Sequence, residues 1–160
     1  MKTKPFITTA LLIAGLFTQG GVAMAQDTES NGKLIGAFAE QVFGHKDLSH
    51  LDQYIKQDYI QHNPLVGQGI EGFKAFFADW FEQVPDFKYD LKKIIINDDH
   101  IWVYGTYSGT QKGEWLGVPT TNKAYSFDAV DIFRVEEGKL AEHWDVLDVY
   151  TLFKNLGVIQ

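Results

Sequence analysis

Residues 124–148 read AYSFDAVDIFRVEEGKLAEHWDVLD, and this stretch decides the fold. It predicts two long strands joined by a tight turn at residues 136–138. Gly138 supplies the positive φ of a type I turn followed by a bulge. Side chains alternate between the two faces of a strand, so the composition of each face indicates what that face packs against.

The inner face of this hairpin mixes ionisable and aromatic side chains. If Val135 pairs with Lys139, then Asp131 lies directly opposite His143 on the neighbouring strand. The residues that share this face are Phe127, Asp131, Phe133, His143, Asp145 and Leu147. Ionisable groups among aromatic rings are typical of a ligand pocket, so we expect this face to line one.

The outer face of the hairpin is an apolar band. Its residues are Val130, Ile132, Trp144 and Val146. A contiguous apolar surface of this kind suits a second layer or a partner subunit. Arg134 and Glu142 alternate onto the same side, where we expect them to be rim charges.

The beginning of the chain has the pattern of a secretory signal peptide. Lys2 and Lys4 precede a nearly continuous apolar run at residues 6–17, and Ala-Met-Ala at residues 23–25 is a cleavage site of small residues. The run is too short to favour a membrane span. We predict that residues 1–25 are removed after Ala25 and that the protein is periplasmic or secreted.

The mature chain is acidic and without cysteine. We expect residues 26–32 to be a disordered lead-in and residues 33–160 to form one domain. Cleavage leaves 12 basic and 21 acidic residues, since the signal peptide holds two lysines and no acid. This balance argues against nucleic acid and anionic membranes as partners. No disulfide can form, so stability rests on the core.

The order of elements predicts an α+β fold. Helical spacing of apolar residues predicts helices at residues 33–43 and 70–84, with a shorter one after Asp47. From residue 86 onward the pattern is that of a meandering antiparallel sheet, and three consecutive isoleucines at residues 94–96 indicate either a bulge or burial on both faces. Helices that cover one face of a strongly curved sheet enclose a cone, and a cone makes a deep pocket.

Five segments in this order resemble the SnoaL-like polyketide cyclase family. They are YIQHNP with GIEGFKAFF, PDFKYDLKKIIINDD, GEWLGVPTTNK and DIFRVEEGKLAEHWDVLD. The resemblance covers about residues 33–157. It implies a nuclear-transport-factor-2-like (cystatin-like) cone of helices over a curved antiparallel sheet. It also implies a homodimer through the outer sheet face.

The resemblance further implies an intramolecular aldol ring closure without a cofactor. By its place in the His-Trp-Asp motif, Asp145 matches the family's acid–base residue. Asp131 matches a polar neighbour on the preceding strand, and the helix-side polar group of the pocket matches His62 or Asn63.

We therefore predict a site in which Asp145 abstracts a proton beside a carbonyl group, in an aldol or isomerase type of step. His143 and Asp131 would titrate together with it, and His62 or Asn63 would hydrogen-bond the enolate oxygen. The predicted ligand is small and apolar, or carries a carbonyl. The predicted substrate-binding residues are Asn63, Phe127, Phe133, Leu147, Phe77, Trp80 and Trp115.

Three alternatives remain at the level of sequence. Asp131 and His143 form only a cross-strand ion pair, and His62 only hydrogen-bonds a turn. A second possibility is a metal site of two histidines and carboxylates, built from His62, His143, Asp131 and Asp145, although no spacing demands it and we predict no metal. In the third, the domain is a non-catalytic exported binding protein or a dimerising module.

Overall fold

The computed structural model describes residues 20–160, with side chains from residue 27 onward. The predicted signal peptide, residues 1–25, lies outside the range in which side chains are described. No helix within residues 20–160 is long and apolar enough to cross a membrane.

Five strands form one mixed sheet in the order β1-β5-β4-β3-β2. They are β1 (Ile55–Gln61), β2 (Lys88–Asn97), β3 (His100–Thr110), β4 (Ala124–Glu136) and β5 (Lys139–Leu147). The predicted antiparallel meander is correct for β2 to β5. The edge strand β1 instead runs parallel to β5, because a helix and three further strands separate the two in sequence and bring the chain back in the same direction.

Within residues 20–160, three α-helices pack on this sheet: α1 (Gly20–Ala39), α2 (Gly69–Gln83) and α3 (Val149–Leu156). α1 packs against β2, α2 against β1 and α3 against β4. The α+β architecture predicted from sequence is confirmed. α2 has the predicted stripe, with Ile70, Phe73, Phe77 and Trp80 buried, and it ends before Pro85.

Two local predictions near the beginning of the domain differ from the structure. Residues 26–32, expected to be a disordered lead-in, belong to α1, where buried Asn31 donates a hydrogen bond to the carbonyl of Asp98 at 3.1 Å. The short helix expected after Asp47 is only a 3₁₀ turn at Leu51–Gln53. The Asp47 carboxylate instead accepts the Ser49 N–H at 2.8 Å, which closes a local turn.

The turn of the central hairpin is tighter than predicted. Glu137 and Gly138 both have positive φ, at 53° and 74°, and Glu136 pairs with Lys139. This is a two-residue loop with the backbone of a type I′ turn, the form that matches the twist of antiparallel strands. The predicted type I turn with a bulge is therefore wrong by one residue.

A bulge in β5 adds a second one-residue shift. Arg134 pairs with Glu142 while Val135 pairs with Leu140, so one residue of β5 is left over. Asp131 consequently lies opposite Asp145, where we had expected His143. Two shifts of one residue restore the parity of the strands, so the predicted inner and outer faces are both correct. β2 does contain a bulge, but it lies between residues 91 and 93 and not at residues 94–96, where the pairing with β3 is regular.

Candidate functional site

A cavity of about 280 Å³ lies between the sheet and the three helices. Its wall includes ten of the eleven residues predicted for the site: Asn63, Phe77, Trp80, Trp115, Phe127, Asp131, Phe133, His143, Asp145 and Leu147. The structure thus brings together side chains from α2, from the two strands β4 and β5, and from two loops. Their role in a reaction stays a prediction.

Most of the cavity wall is aromatic. Trp80 of α2 stacks on Trp115 with ring centroids 4.7 Å apart, and its indole N–H donates to the Tyr125 hydroxyl at 2.7 Å. Trp115 belongs to the loop between β3 and β4 and stacks on Tyr125 at 5.6 Å. Stacked rings of this kind form a rigid apolar surface that suits a flat ligand.

The polar part of the wall centres on a buried chain of hydrogen bonds. His143 Nε2 lies 3.2 Å from Asp131 Oδ1, and His143 Nδ1 lies 3.0 Å from the side-chain oxygen of Gln61. Asp131 and His143 are diagonal neighbours on the sheet, yet their side chains reach each other. Tyr107 donates its hydroxyl proton to Asp131 Oδ2 at 3.1 Å.

Asp145 is half-buried at the edge of this group and has a separate partner. Asn63 donates its side-chain N–H to Asp145 Oδ2 at 2.6 Å. The side-chain oxygen of Asn63 in turn accepts the Leu65 N–H at 2.9 Å, which fixes the orientation of the amide. Asp145 Oδ1 has no hydrogen-bond partner among the residues that the structure describes.

Three tyrosines close to the carboxylates remain neutral. Burial, followed by the negative charge of Asp131, raises the pKa of Tyr59, of Tyr89 and of Tyr107 above that of a free tyrosine. Each hydroxyl is therefore a proton donor in the hydrogen-bonding sense. The Tyr59 hydroxyl is buried and has no hydrogen-bond partner within the described part of the chain.

His62 lies on the opposite face of the sheet from the cavity, so its prediction as a site residue is wrong. Its ring stacks on Trp144 with centroids 4.8 Å apart, and its Nε2 lies 2.8 Å from Glu142 Oε1. The reason is alternation along the end of β1, which puts Gln61 and His62 on opposite sides. Two hydrogen bonds lower the pKa of Glu142, and the one from His62 has a larger effect than the one from Arg134.

The position of His62 also removes one ligand from the two-histidine metal alternative. The ligand atoms of Asp131, His143 and Asp145 do lie within 4.8 Å of one another. Two of these groups also take part in hydrogen bonds, His143 Nε2 with Asp131 and one oxygen of Asp145 with Asn63.

Sequence reasoning missed Gln61, which lies in the cavity wall beside His143. The signal was present in the alternation of Tyr59, Gln61 and Asn63, since an inward aromatic at residue 59 puts residue 61 inward as well. Tyr107 was missed because its strand is apolar or aromatic on both faces.

A model of the SnoaL-like polyketide cyclase family matches residues 33–156. The aklanonic acid methyl ester cyclase DauD of Streptomyces sp. (strain C5) is 26% identical over 109 residues, which are 67% of this chain and 66% of DauD. The nogalonic acid methyl ester cyclase of Streptomyces nogalater is 28% identical over 111 residues, or 67% of this chain and 83% of that enzyme. The structure of TsrD from Streptomyces laurentii is 33% identical with a TM-score of 0.77, covering 83% of this chain and 98% of that chain.

Proposed function

The chain belongs to the SnoaL-like polyketide cyclase family, and we propose that it catalyses a cofactor-free acid–base reaction at a carbon next to a carbonyl group. The proposed substrate is a small, largely apolar molecule with a carbonyl, because the cavity is mostly aromatic and has polar groups in one part of its wall. The similarity to two ester cyclases supports an intramolecular aldol closure as the reaction.

The single observation that carries this proposal is the environment of Asp145. One carboxylate oxygen is held by Asn63, and the other has no partner among the described residues at the wall of an apolar cavity. A carboxylate that is oriented by one hydrogen bond and free at its second oxygen suits a general base.

In the proposed step, Asp145 removes a proton from the carbon next to the carbonyl, and the electron pair moves onto the carbonyl oxygen to give an enolate. The enolate carbon then attacks a second carbonyl carbon of the same molecule. The alkoxide that results takes the proton back from Asp145. No proton is gained or lost overall, so no cofactor is required.

Deuterium exchange at acidic carbon positions tests this proposal. Aromatic β-dicarbonyl compounds would be incubated with the mature protein in D₂O, and deuterium incorporation followed by NMR. Asp145→Asn is expected to lower the exchange rate about 10²–10⁴-fold. Asp58→Asn changes the net charge equally at an exposed position of β1 and is expected to retain the wild-type rate.

An Asp145→Asn variant that exchanges within twofold of the wild type would exclude the proposed base. If the wild-type protein binds these compounds without catalysing exchange, and Asp145→Asn binds them equally well, the alternative of an exported binding protein is favoured.

We also propose a homodimer through the outer face of the sheet. Four large apolar residues pair with one another in a row across β2, β3, β4 and β5. They are Ile95, Trp102, Ile132 and Trp144. Trp102 and Val146 are 45% and 69% exposed, which is unusual for such side chains in the middle of a sheet. A second copy would cover this row.

Export remains a proposal based on the signal sequence. Cleavage after Ala25 would leave the buried α1 residues Asn31, Ile35 and Phe38 in the mature protein. The intact mass of the protein recovered from the bacterial periplasm tests this. A mature chain that begins at residue 26 is expected, and an intact chain that begins at Met1 would contradict export with cleavage.

A further inference from the structure

Gln61 lies beside the proposed base and carries a hydrogen-bond donor that the protein itself does not use. Its side chain is buried at the end of β1 and forms part of the cavity wall. The backbone N–H of Asn63 donates to Gln61 Oε1 at 2.8 Å. A backbone N–H can only donate, so this contact identifies the oxygen end of the Gln61 amide.

The nitrogen end of the same amide has no hydrogen-bond partner among the described residues. Gln61 Oε1 is occupied by the Asn63 N–H and by His143 Nδ1. The Gln61 side chain lies in the cavity wall, so the free N–H of its amide is available to a molecule in the cavity. A ligand oxygen in the cavity would satisfy it.

The position of Gln61 is held firmly by a second glutamine. Gln68 accepts the backbone N–H of Gln61 at 3.0 Å and donates to the backbone carbonyl of Gln61 at 2.7 Å. Main chain and side chain are thus both fixed before a ligand enters. Donors that are oriented in advance are the kind that stabilise a developing oxyanion.

The two side chains predicted from the sequence for this role, His62 and Asn63, are engaged elsewhere. His62 lies on the outer face, and the side-chain N–H of Asn63 is directed to Asp145. We propose that the side-chain amide of Gln61 donates the hydrogen bond to the carbonyl oxygen of the substrate, and to the enolate oxygen that forms from it. This inference rests on the proposed function for the enolate, whereas the contact to a carbonyl oxygen can be tested by binding alone.

Two ligands of similar shape distinguish a hydrogen bond to the carbonyl oxygen from apolar packing in the cavity. 2-Acetylnaphthalene has a carbonyl oxygen and 2-ethylnaphthalene has none. Binding to the mature protein can be followed by the fluorescence of Trp80 and Trp115, which line the cavity. The carbonyl stretch of ¹³C-labelled 2-acetylnaphthalene reports directly on its hydrogen bond.

Two variants separate the hydrogen-bond donor of the Gln61 side chain from its acceptor. Gln61→Glu keeps an acceptor for Asn63 and His143 and, in its ionised form, has no donor toward the cavity. Gln61→Met has neither donor nor acceptor. Both variants are expected to bind the ketone about tenfold more weakly, while Gln61→Met binds the hydrocarbon within twofold of the wild type. The carbonyl stretch is expected at lower frequency in the wild type than in either variant.

Equal losses of affinity for both probes in Gln61→Met would show a structural role only and would overturn the proposal. An unchanged carbonyl stretch in the variants, or a wild-type protein that does not bind the ketone, would also overturn it. Absence of deuterium exchange together with a Gln61-dependent carbonyl band would contradict the proposed reaction and leave this contact intact.

Discussion

His143 and Asp131 share one proton, and the geometry of Gln61 requires it. Gln61 Oε1 is an acceptor, so His143 Nδ1 must donate to it. His143 Nε2 faces a carboxylate oxygen at 3.2 Å, and two acceptors without a proton between them would repel each other. Either the imidazolium donates to the carboxylate or the carboxylic acid donates to the imidazole. Asp145 lies outside this pair, which is consistent with its proposed role as the base.

Two buried tyrosines differ in whether their hydroxyl group is hydrogen-bonded, so removal of the hydroxyl is expected to affect stability differently at the two positions. Tyr107 donates to Asp131, whereas the Tyr59 hydroxyl has no partner among the residues described. Tyr107→Phe is expected to lower the free energy of unfolding by about 1–3 kcal/mol, because a buried carboxylate loses a donor. Tyr59→Phe is expected to leave it unchanged or raise it by up to about 1 kcal/mol, because an unsatisfied hydroxyl is removed.

Urea denaturation of both variants measures this difference, and each serves as the control for the other. Equal destabilisation by the two substitutions would indicate that the Tyr59 hydroxyl is satisfied in solution and would contradict the expected contrast.

At the scale of elements, Asp128 connects three strands of the sheet. It accepts hydrogen bonds from Thr106 and Tyr104 on β3 and from Lys92 on β2. These bonds lower the pKa of Asp128 from its ordinary value of 3.8 to about 2. A carboxyl group with a lower pKa in the folded state stabilises the fold above the unfolded pKa, and this contribution is lost as pH falls through the folded pKa.

The free energy of unfolding is therefore expected to fall more steeply between about pH 4 and pH 2 in the wild type than in Asp128→Asn. Other acids with lowered pKa, among them Asp86 and Glu142, contribute equally to both proteins and cancel in the comparison. Denaturant titrations at several pH values measure the two slopes. Parallel curves for the wild type and the variant would show that the connection across the strands is not formed in solution.

At the scale of the whole molecule, the sheet separates two surfaces with different roles. The inner side carries the cavity, and the outer side carries the aligned apolar row that we assign to a dimer. A charge placed on the outer row would be desolvated and unpaired in the dimer, which costs several kcal/mol. The cavity would not be altered, because the two faces do not share side chains.

Val146 lies next to this row, two residues from Trp144 on the same face of β5, so Val146→Glu is expected to convert a dimer into a monomer in sedimentation-velocity experiments at micromolar concentration. Val158→Glu is the matched control, since Val158 is 51% exposed near the end of the chain and lies outside the outer row. A wild-type protein that sediments as a monomer, or a Val146→Glu variant that remains dimeric, would contradict the proposed interface.

The sequence by itself determined the class of fold, the two faces of the central hairpin and the aromatic composition of the cavity. These features follow from alternation and helical spacing, which are properties of neighbouring residues. The assignment of the two faces is correct despite an error in the turn and a missed bulge. Each of these shifts the register by one residue, and a total shift of two residues keeps every side chain on its predicted face.

Only the tertiary structure decided how β1 joins the sheet and which polar side chains meet. Gln61 contacts His143, and Asn63 contacts Asp145, across 82 residues of sequence in each case. Such contacts depend on the parallel pairing of β1 with β5, which no local pattern encodes. Alternation along β1 turned Gln61 inward, but only the pairing with β5 brought it next to His143.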